Sequence, residues 1–252
     1  DTMKVKVLIR DIKPSHLLHL AWYTEHGLYW TARENMKWIQ ASFTLMQELQ
    51  ECNGQRFVAA GTCAEYDWSH DFCNEVATPC RPATFYGAAK YSTHLLLEAW
   101  AKQAGLSNAW GRVFLLYGSG EYPDRLAGSV INALLRGEPA LCTHGEQVRD
   151  FMYVADVAAG FVALLESDVR GAVNIASGKG VKLSSLVYNI ADKLGRRDLV
   201  QLGAVPSKMN EPAKLIADVA RLQHEVGFTP SIEIEQGIIL AIEARKKILE
   251  EN

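Results

Sequence analysis

Long hydrophobic runs are missing from this sequence. No stretch approaches the roughly 18 consecutive apolar residues of a bilayer-spanning helix, and no signal-peptide pattern is visible, so no membrane partner is expected. One-sided charge is missing too. Lys and Arg number 26 against 29 Asp and Glu, a net charge of -3 without a basic cluster, which leaves nucleic-acid binding no electrostatic footing. The five cysteines (Cys52, Cys63, Cys73, Cys80 and Cys142) are odd in number and lack C-x-x-C spacing, against both a disulfide framework and a zinc site. The seven histidines show no ligand spacing either; His16 and His19 flank a strand, where an odd offset puts them on opposite faces. No metal is expected, and a cytoplasmic enzyme is the compartment reading that fits. Internal repeats and low-complexity tracts are absent.

What is present is an alternation of strand and helix patterns. With 252 residues, 48% of them hydrophobic, the chain has core enough for one large α/β domain or a domain with a lobe. A helix is expected over 1–13, a strand over 17–21, and an amphipathic helix over 29–50 with Met36, Ile39, Phe43 and Met46 at helical spacing. A buried strand over 57–60, a helix over 84–104 and a strand over 109–116 follow. Helices over 126–136 and 154–166 come next, with 137–149 leaving the sheet and a strand at 173–175. The fold class this implies is α/β: a doubly wound parallel-sheet Rossmann domain with a smaller, mainly helical lobe. The division expected is 1–116 plus 151–176 for the first, and 117–150 plus 177–252 for the second.

Chemistry concentrates in Tyr86-Gly-Ala-Ala-Lys90, with Thr62 standing upstream at the exit of a short apolar strand. Tyr and Lys four apart share one helix face, and a cation there is expected to draw the phenol's pKa down toward working pH. Such a tyrosine can take a proton from a hydroxyl, or give one to a carbonyl, while hydride moves on carbon. Ligands in open α/β sheets sit beyond the carboxyl ends of strands, where Thr62 lies.

Together with further motifs, this stretch resembles the extended short-chain dehydrogenases/reductases, in the nucleotide-sugar epimerase, dehydratase and ketoreductase branch. Pro82-Ala-Thr-Phe-Tyr-Gly-Ala-Ala-Lys90 matches P-x-x-x-Y-x-x-x-K, and Thr62 stands four residues before Tyr66 as in S-x-x-x-Y. Gly111-Arg-Val-Phe-Leu-Leu-Tyr-Gly118 is similar to R-x-x-N-V-Y-G, and Arg149-Asp-Phe-Met-Tyr-Val-Ala-Asp156 to R-D-F-x-Y-V-x-D. His19-Leu-Ala21, Asn174-Ile-Ala-Ser-Gly178, Ala217-Asp218 and Glu225-Val-Gly-Phe-Thr-Pro230 fall in the family's order, so the resemblance runs over nearly the whole chain.

The resemblance implies a catalytic set of Thr62, Tyr86 and Lys90. It implies NAD or NADP held by Leu20, Ala21, Trp22, Asn35, Ala60, Tyr86, Lys90 and Phe114. It implies a nucleotide-diphosphate sugar held by Thr62, Cys63, Ala64, Tyr86, Tyr117 and Arg149, the last as a guanidinium on the diphosphate. Asn174 is expected to brace a loop, and Asp156 to serve the start of the 157–166 helix. In the family's 4,6-dehydratases an Asp-Glu pair follows the catalytic Ser/Thr; here Cys63 and Ala64 stand there and Glu65 is one residue out of register, so dehydration is not expected. What remains is oxidation and reduction at one sugar carbon, C4: a 4-keto sugar reductase, favoured by the bulk of Trp22 and Trp68, or alternatively a 4-epimerase. A dinucleotide-binding sensor without turnover is the reading from another class.

Two departures matter. The family's opening Gly-rich strand–turn–helix, which holds the pyrophosphate, has no counterpart here, since Gly118-Ser-Gly120 and Gly178-Lys-Gly180 follow the wrong strands. A truncated chain, binding its cofactor poorly as it stands, is therefore expected. The family's C-terminal arginine near the diphosphate is not evident in Ser207-Lys-Met-Asn-Glu-Pro212. A homodimer through the helices at 29–50 and 84–104 is implied, with Leu95, Leu96, Leu97 and Trp100 serving core or interface.

Overall fold

The computed structural model describes residues 2–207 and 211–250. In chain order the elements are α1 (Thr2–Ile12), β1 (His16–His19), α2 (Glu34–Glu51), β2 (Arg56–Thr62), β3 (Phe72–Cys73), α3 (Phe85–Ala104), β4 (Ser107–Val113), β5 (Leu115–Tyr117), α4 (Leu126–Leu135) and β6 (Ala140–Leu141). They continue with β7 (Val148–Tyr153), α5 (Val154–Glu166), β8 (Gly171–Ile175), β9 (Gly180–Lys182), α6 (Leu183–Leu194), β10 (Val200–Gln201), β11 (Lys214–Ala217) and α7 (Ile234–Glu250).

The central sheet is parallel, in the order β1-β2-β4-β8, with Ala59 opposite Trp110 and Thr62 opposite Val113. Its middle strands are apolar on both faces, as a sheet covered on both sides requires. Phe57, Ala59 and Trp110 pack against Met46 and Leu49 of α2 and Leu97 and Ala101 of α3. Val58, Ala109, Val173 and Ile175 pack against Val157, Phe161 and Leu164 of α5 on the other face. That is the doubly wound arrangement the alternation implied.

The rest of the chain builds a lobe on α4, α6 and α7, whose Ile131, Leu134, Leu186, Ile190, Ile238 and Ile242 close on Tyr117 and Tyr153. A second sheet, β3-β11-β7-β5 with β9 antiparallel on β7, runs through it. Its strands are too short to show a period in the sequence.

Several boundaries differ from the sequence reading. The first strand ends at His19, so Leu20, Ala21 and Trp22 follow it as a loop. The long helix begins at Glu34 rather than near Tyr29, because the Asn35 amide donates to the Tyr29 and Ala32 carbonyls at 2.9 Å each and holds that segment in turns. Met36, placed by its spacing on the apolar face, is exposed. The strand expected over 109–116 divides into β4 and β5, which pair in different sheets.

Candidate active site

Thr62 is the last residue of β2 and the N-cap of a single 3₁₀ turn, Cys63–Glu65. Its Oγ1 accepts from Ala64 N at 3.2 Å, while Glu65 Oε1 accepts from Thr62 N at 2.9 Å. This reciprocal capping box fixes the residue on both sides.

Tyr86 opens α3, which Thr84 caps by accepting from Gly87 N at 3.1 Å. The helix start lies so close to the 3₁₀ turn that a Cβ on Gly87 would stand 2.3 Å from the Ala64 carbonyl oxygen. Glycine in Tyr-Gly-x-x-Lys is thus the residue that lets α3 bring its tyrosine to Thr62. The two side chains lie close enough for the Thr62 hydroxyl to act on the Tyr86 phenol.

Lys90, one turn along, is buried and donates from Nζ to the Ala60 carbonyl at 2.7 Å. Its ammonium lies 3.9 Å from the centroid of the Trp22 indole, a cation–π contact. Trp22 is buried, and its Nε1 donates to Asn35 Oδ1 at 2.8 Å. Tyr29 and Trp30 meet the Tyr86 ring edge-on at 4.9 and 5.8 Å, and Trp68 donates to the Cys63 carbonyl at 3.1 Å.

This setting changes the expected electrostatics. Burial raises the Tyr86 phenol above its ordinary value, and the nearby Thr62 hydroxyl draws it back only in part. Burial likewise lowers Lys90, to about 7, against the opposing charge of Glu65. Desolvation dominates at Tyr86, and Lys90 is not among the largest influences on it.

The remaining expected residues divide. Cys63 and Ala64 are buried beside Thr62, and burial pushes the Cys63 thiol up to about 12. Asn35 and Ala60 reach the group through Trp22 and Lys90. Leu20 and Ala21 lie on the exposed loop after β1. Phe114 packs in the apolar cluster that includes Cys63, with Tyr66, Ala176, Leu215 and Ala217. Tyr117, expected at the substrate, is instead lobe core: it is 1% exposed, donates to the Ile234 carbonyl at 3.3 Å and packs on Tyr153 and Phe151.

Arg149 is buried on β7, close enough to Cys63 for their charges to act on each other. It pairs with Glu211 at 3.2 Å rather than with Asp150. Asp150 accepts instead from Ser177, Gly178 and Ala217. Lys208, Met209 and Asn210 of the segment searched for a diphosphate arginine lie outside the described residues. Asn174 braces its loop, taking the Tyr66 hydroxyl at 2.8 Å and donating to the Cys73 and Asp218 carbonyls. Asp156 clamps the backbone of Ser231 and Ile232, a longer-range task than serving its own helix.

Tyr29, Trp30, Trp110 and Arg112 entered no sequence expectation, yet each touches the triad or its immediate support. The aromatic density of Trp22–Trp30 and the T-x-x-E capping pattern at Thr62 were the available signals. Among the described residues no group of three or more His, Cys, Asp or Glu is placed to hold a metal, and no helix is long and apolar enough to cross a membrane.

A family model described as NAD dependent epimerase/dehydratase family matches residues 1–176. A Bacillus subtilis protein described as an uncharacterized UDP-glucose epimerase is 26% identical over 203 residues, which is 79% of this chain and 63% of that protein. The chain spans about half the length of the curated relatives it matches: 63, 49 and 43% for three of them. Among solved structures, the Thermotoga maritima UDP-glucose 4-epimerase with UDP-glucose aligns at a TM-score of 0.87 and 23% identity, over 99% of this chain and 82% of that one. The protein MoeE5, in complex with UDP-glucuronic acid and NAD, aligns at 0.82 and 26%, over 97% and 82%.

The residues at the triad suit the nicotinamide–ribose half of such a cofactor. A buried lysine donor and a phenol stand together where parallel strands end, walled by Trp22 and held by Asn35. Among the described residues no glycine-rich turn joins a strand of the central sheet to a helix in the way a pyrophosphate needs.

Proposed function

The chain belongs to the NAD dependent epimerase/dehydratase family, and on that footing we propose that Thr62, Tyr86 and Lys90 serve oxidation and reduction at C4 of a nucleotide-diphosphate sugar. The observation that carries this reading is the close approach of the start of α3, which bears Tyr86 and Lys90 one turn apart, to the turn that follows Thr62 at the carboxyl end of β2. NAD, when bound, supplies the hydride acceptor and donor.

The chain's own part is proton handling and positioning. Tyr86 exchanges a proton with the C4 oxygen, and the Thr62 hydroxyl holds that oxygen by a hydrogen bond. Lys90 supplies a nearby positive charge below pH 7 and a neutral amine above it. Residues 1–116 with 151–176 hold the cofactor, and 117–150 with 177–252 hold the sugar nucleotide. Arg149 exchanges Glu211 for a substrate phosphate, which suits a guanidinium fork. Neither Cys63 nor Ala64 can act as a carboxylate, and Glu65 is fully buried, which supports redox chemistry without dehydration.

Between epimerase and reductase, the similarity to 4-epimerases supports the former. Trp22, one of the two bulky residues that argued for a reductase, is tied down over Lys90 and does not crowd a turning sugar. Trp68 and Trp30, half-buried beside Tyr86, keep the reductase as a second reading. The exposed Leu95 and Leu96 of α3 and Met36 of α2 support a homodimer.

The test is product analysis. Protein incubated with NAD and UDP-glucose, UDP-N-acetylglucosamine or UDP-glucuronic acid is expected to yield the C4 epimer by NMR, with Tyr86→Phe slower by about 10²–10⁴-fold. Consumption of NADH with a 4-keto-6-deoxy nucleotide sugar, and no epimer, selects the reductase. No reaction with either substrate class, from protein whose tryptophan fluorescence shows that it has bound NAD, refutes both.

A further inference from the structure

Glu65 is one of the few carboxylates in the protein with no exposure at all, and all of its bonds go to the underside of the triad. Oε1 accepts from Thr62 N and from Trp110 Nε1, each at 2.9 Å, and Oε2 accepts from Arg112 Nε at 2.8 Å. Arg112 passes the network on to the Tyr66 hydroxyl at 3.1 Å, which donates to Asn174. Three donors from two strands, β2 and β4, therefore converge on one side chain.

The backbone is built to admit it. A Cβ on Gly61 would stand 2.7 Å from Glu65 Oε1 and 2.1 Å from Trp110 Nε1. Only a glycine before Thr62 lets the carboxylate and the indole come under the strand end. The charge of Glu65 also acts on Lys90 to favour the ammonium.

We propose that Glu65 is a positioning residue for the Thr62–Tyr86 pair. It fixes the Thr62 backbone from beneath, and so fixes where the hydroxyl stands against the phenol, without itself meeting substrate. The inference rests on reading Thr62 and Tyr86 as the proton-handling pair. A misplacement of about 1 Å at such a site costs on the order of 10²-fold in turnover, so losing this support should act on kcat rather than on substrate binding.

Removing Glu65 alone would strand Arg112 as a buried unpaired charge, so the test replaces both with apolar residues of similar volume, an exchange that folds generally tolerate. The variant Glu65→Leu/Arg112→Leu is compared with Glu65→Gln/Arg112→Leu, which keeps an oxygen for Thr62 N without stranding a guanidinium. Two quantities are read: kcat and KM with UDP-glucose and NAD, and hydrogen exchange at the Thr62 amide. The leucine pair is expected to lower kcat by about 10–100-fold with KM little changed and the Thr62 amide exchanging fast. Glu65→Gln/Arg112→Leu is expected to recover most of both. A folded leucine pair with wild-type kcat overturns the proposal, as does one whose kcat and KM change in step. If the pair does not fold, exchange in the wild type decides: a protected Thr62 amide supports the proposal and an unprotected one overturns it. Wild-type protein inert toward every nucleotide sugar would refute the C4 reading while leaving the exchange result on Thr62 legible.

Discussion

Replacing Thr62 by valine separates the two tasks of this residue. Valine keeps the volume and branching of a side chain that is 8% exposed, so packing is conserved. Only Oγ1 is lost. That oxygen accepts from Ala64 N at 3.2 Å and lies close enough to act on the Tyr86 phenol. The first bond is one arm of a cap, worth about 1 kcal/mol. The other arm, Glu65 Oε1 on Thr62 N, uses the backbone and survives. In a chain of this size 1 kcal/mol corresponds to about 2–4 °C in Tm. Catalysis should suffer more. A positioned donor at the reacting oxygen is worth roughly 10²–10³-fold, or about 2.7–4 kcal/mol. Thr62→Val is therefore expected to lower C4 turnover by that factor with a Tm shift of a few degrees, and Thr62→Ser to restore most of the activity. The measurements are epimer formation with NAD and a UDP-sugar, and scanning calorimetry. A Tm drop of more than about 10 °C with under threefold loss of rate would assign Thr62 to packing and refute the catalytic reading.

With Lys90 lowered to about 7 and Tyr86 raised, turnover in the direction that oxidises the C4 hydroxyl should climb as pH rises through 7 and then level; a limb centred near 10 would contradict this. His94 stacks on Trp110 at 5.2 Å with both ring nitrogens buried and without hydrogen-bond partners, and burial lowers its pKa to about 3. Glu98, 3.8 Å away, is too far for a hydrogen bond and pairs only with a protonated ring. Because the folded value lies below the ordinary 6.5, the unfolded chain binds more protons as pH falls from 6.5 toward 3, and stability is lost over that window. His94→Phe should therefore raise stability by about 1–2 kcal/mol at pH 7 and by about 2 kcal/mol more at pH 5. Denaturant titrations at both pH values check it, and an equal effect at the two would exclude the titration. On α3, Leu96 is 57% exposed and lies outside the apolar clusters. Wild-type protein should elute as a dimer in light-scattering chromatography and Leu96→Glu as a monomer of unchanged Tm; a monomeric wild type removes that interface.

The sequence made the doubly wound sheet legible because its strands are apolar on both faces and its helices keep a 3.6-residue period. Helix α5 begins and ends where the pattern placed it, over Val154–Glu166. The 29–34 segment misled, since its aromatic residues mimic an amphipathic first turn while the Asn35 side chain takes the carbonyls a helix would use. Two-residue strands such as β3 and β6 carry no period at all. At the site, Thr62, Tyr86 and Lys90 come together as their spacing implied. Tyr117 does not join them, because a tyrosine before a glycine turn looks the same from sequence whether it lines a cleft or fills a lobe. The charge state of Tyr86 was illegible for a related reason. Spacing reports that Lys90 is near, but not that Ala60 and Trp22 already hold it.

That last point bears on how the site can work. Burial disfavours charge on both Tyr86 and Lys90, so above pH 7 the pair rests as phenol and amine. This form holds one proton fewer than phenol with ammonium. The same proton count is met by phenolate with ammonium, a rearrangement within the pair that pH does not oppose. Phenolate is the base needed to take a proton from a hydroxyl, and the second of these forms supplies it. The balance between the two internal forms depends on how well the ammonium is stabilised. Glu65 and the Trp22 face favour it, and desolvation opposes it. A ligand hydroxyl accepting from Nζ would shift the balance further toward ammonium and phenolate. The dry aromatic surround is thus compatible with base chemistry, because the pair can create its two charges together.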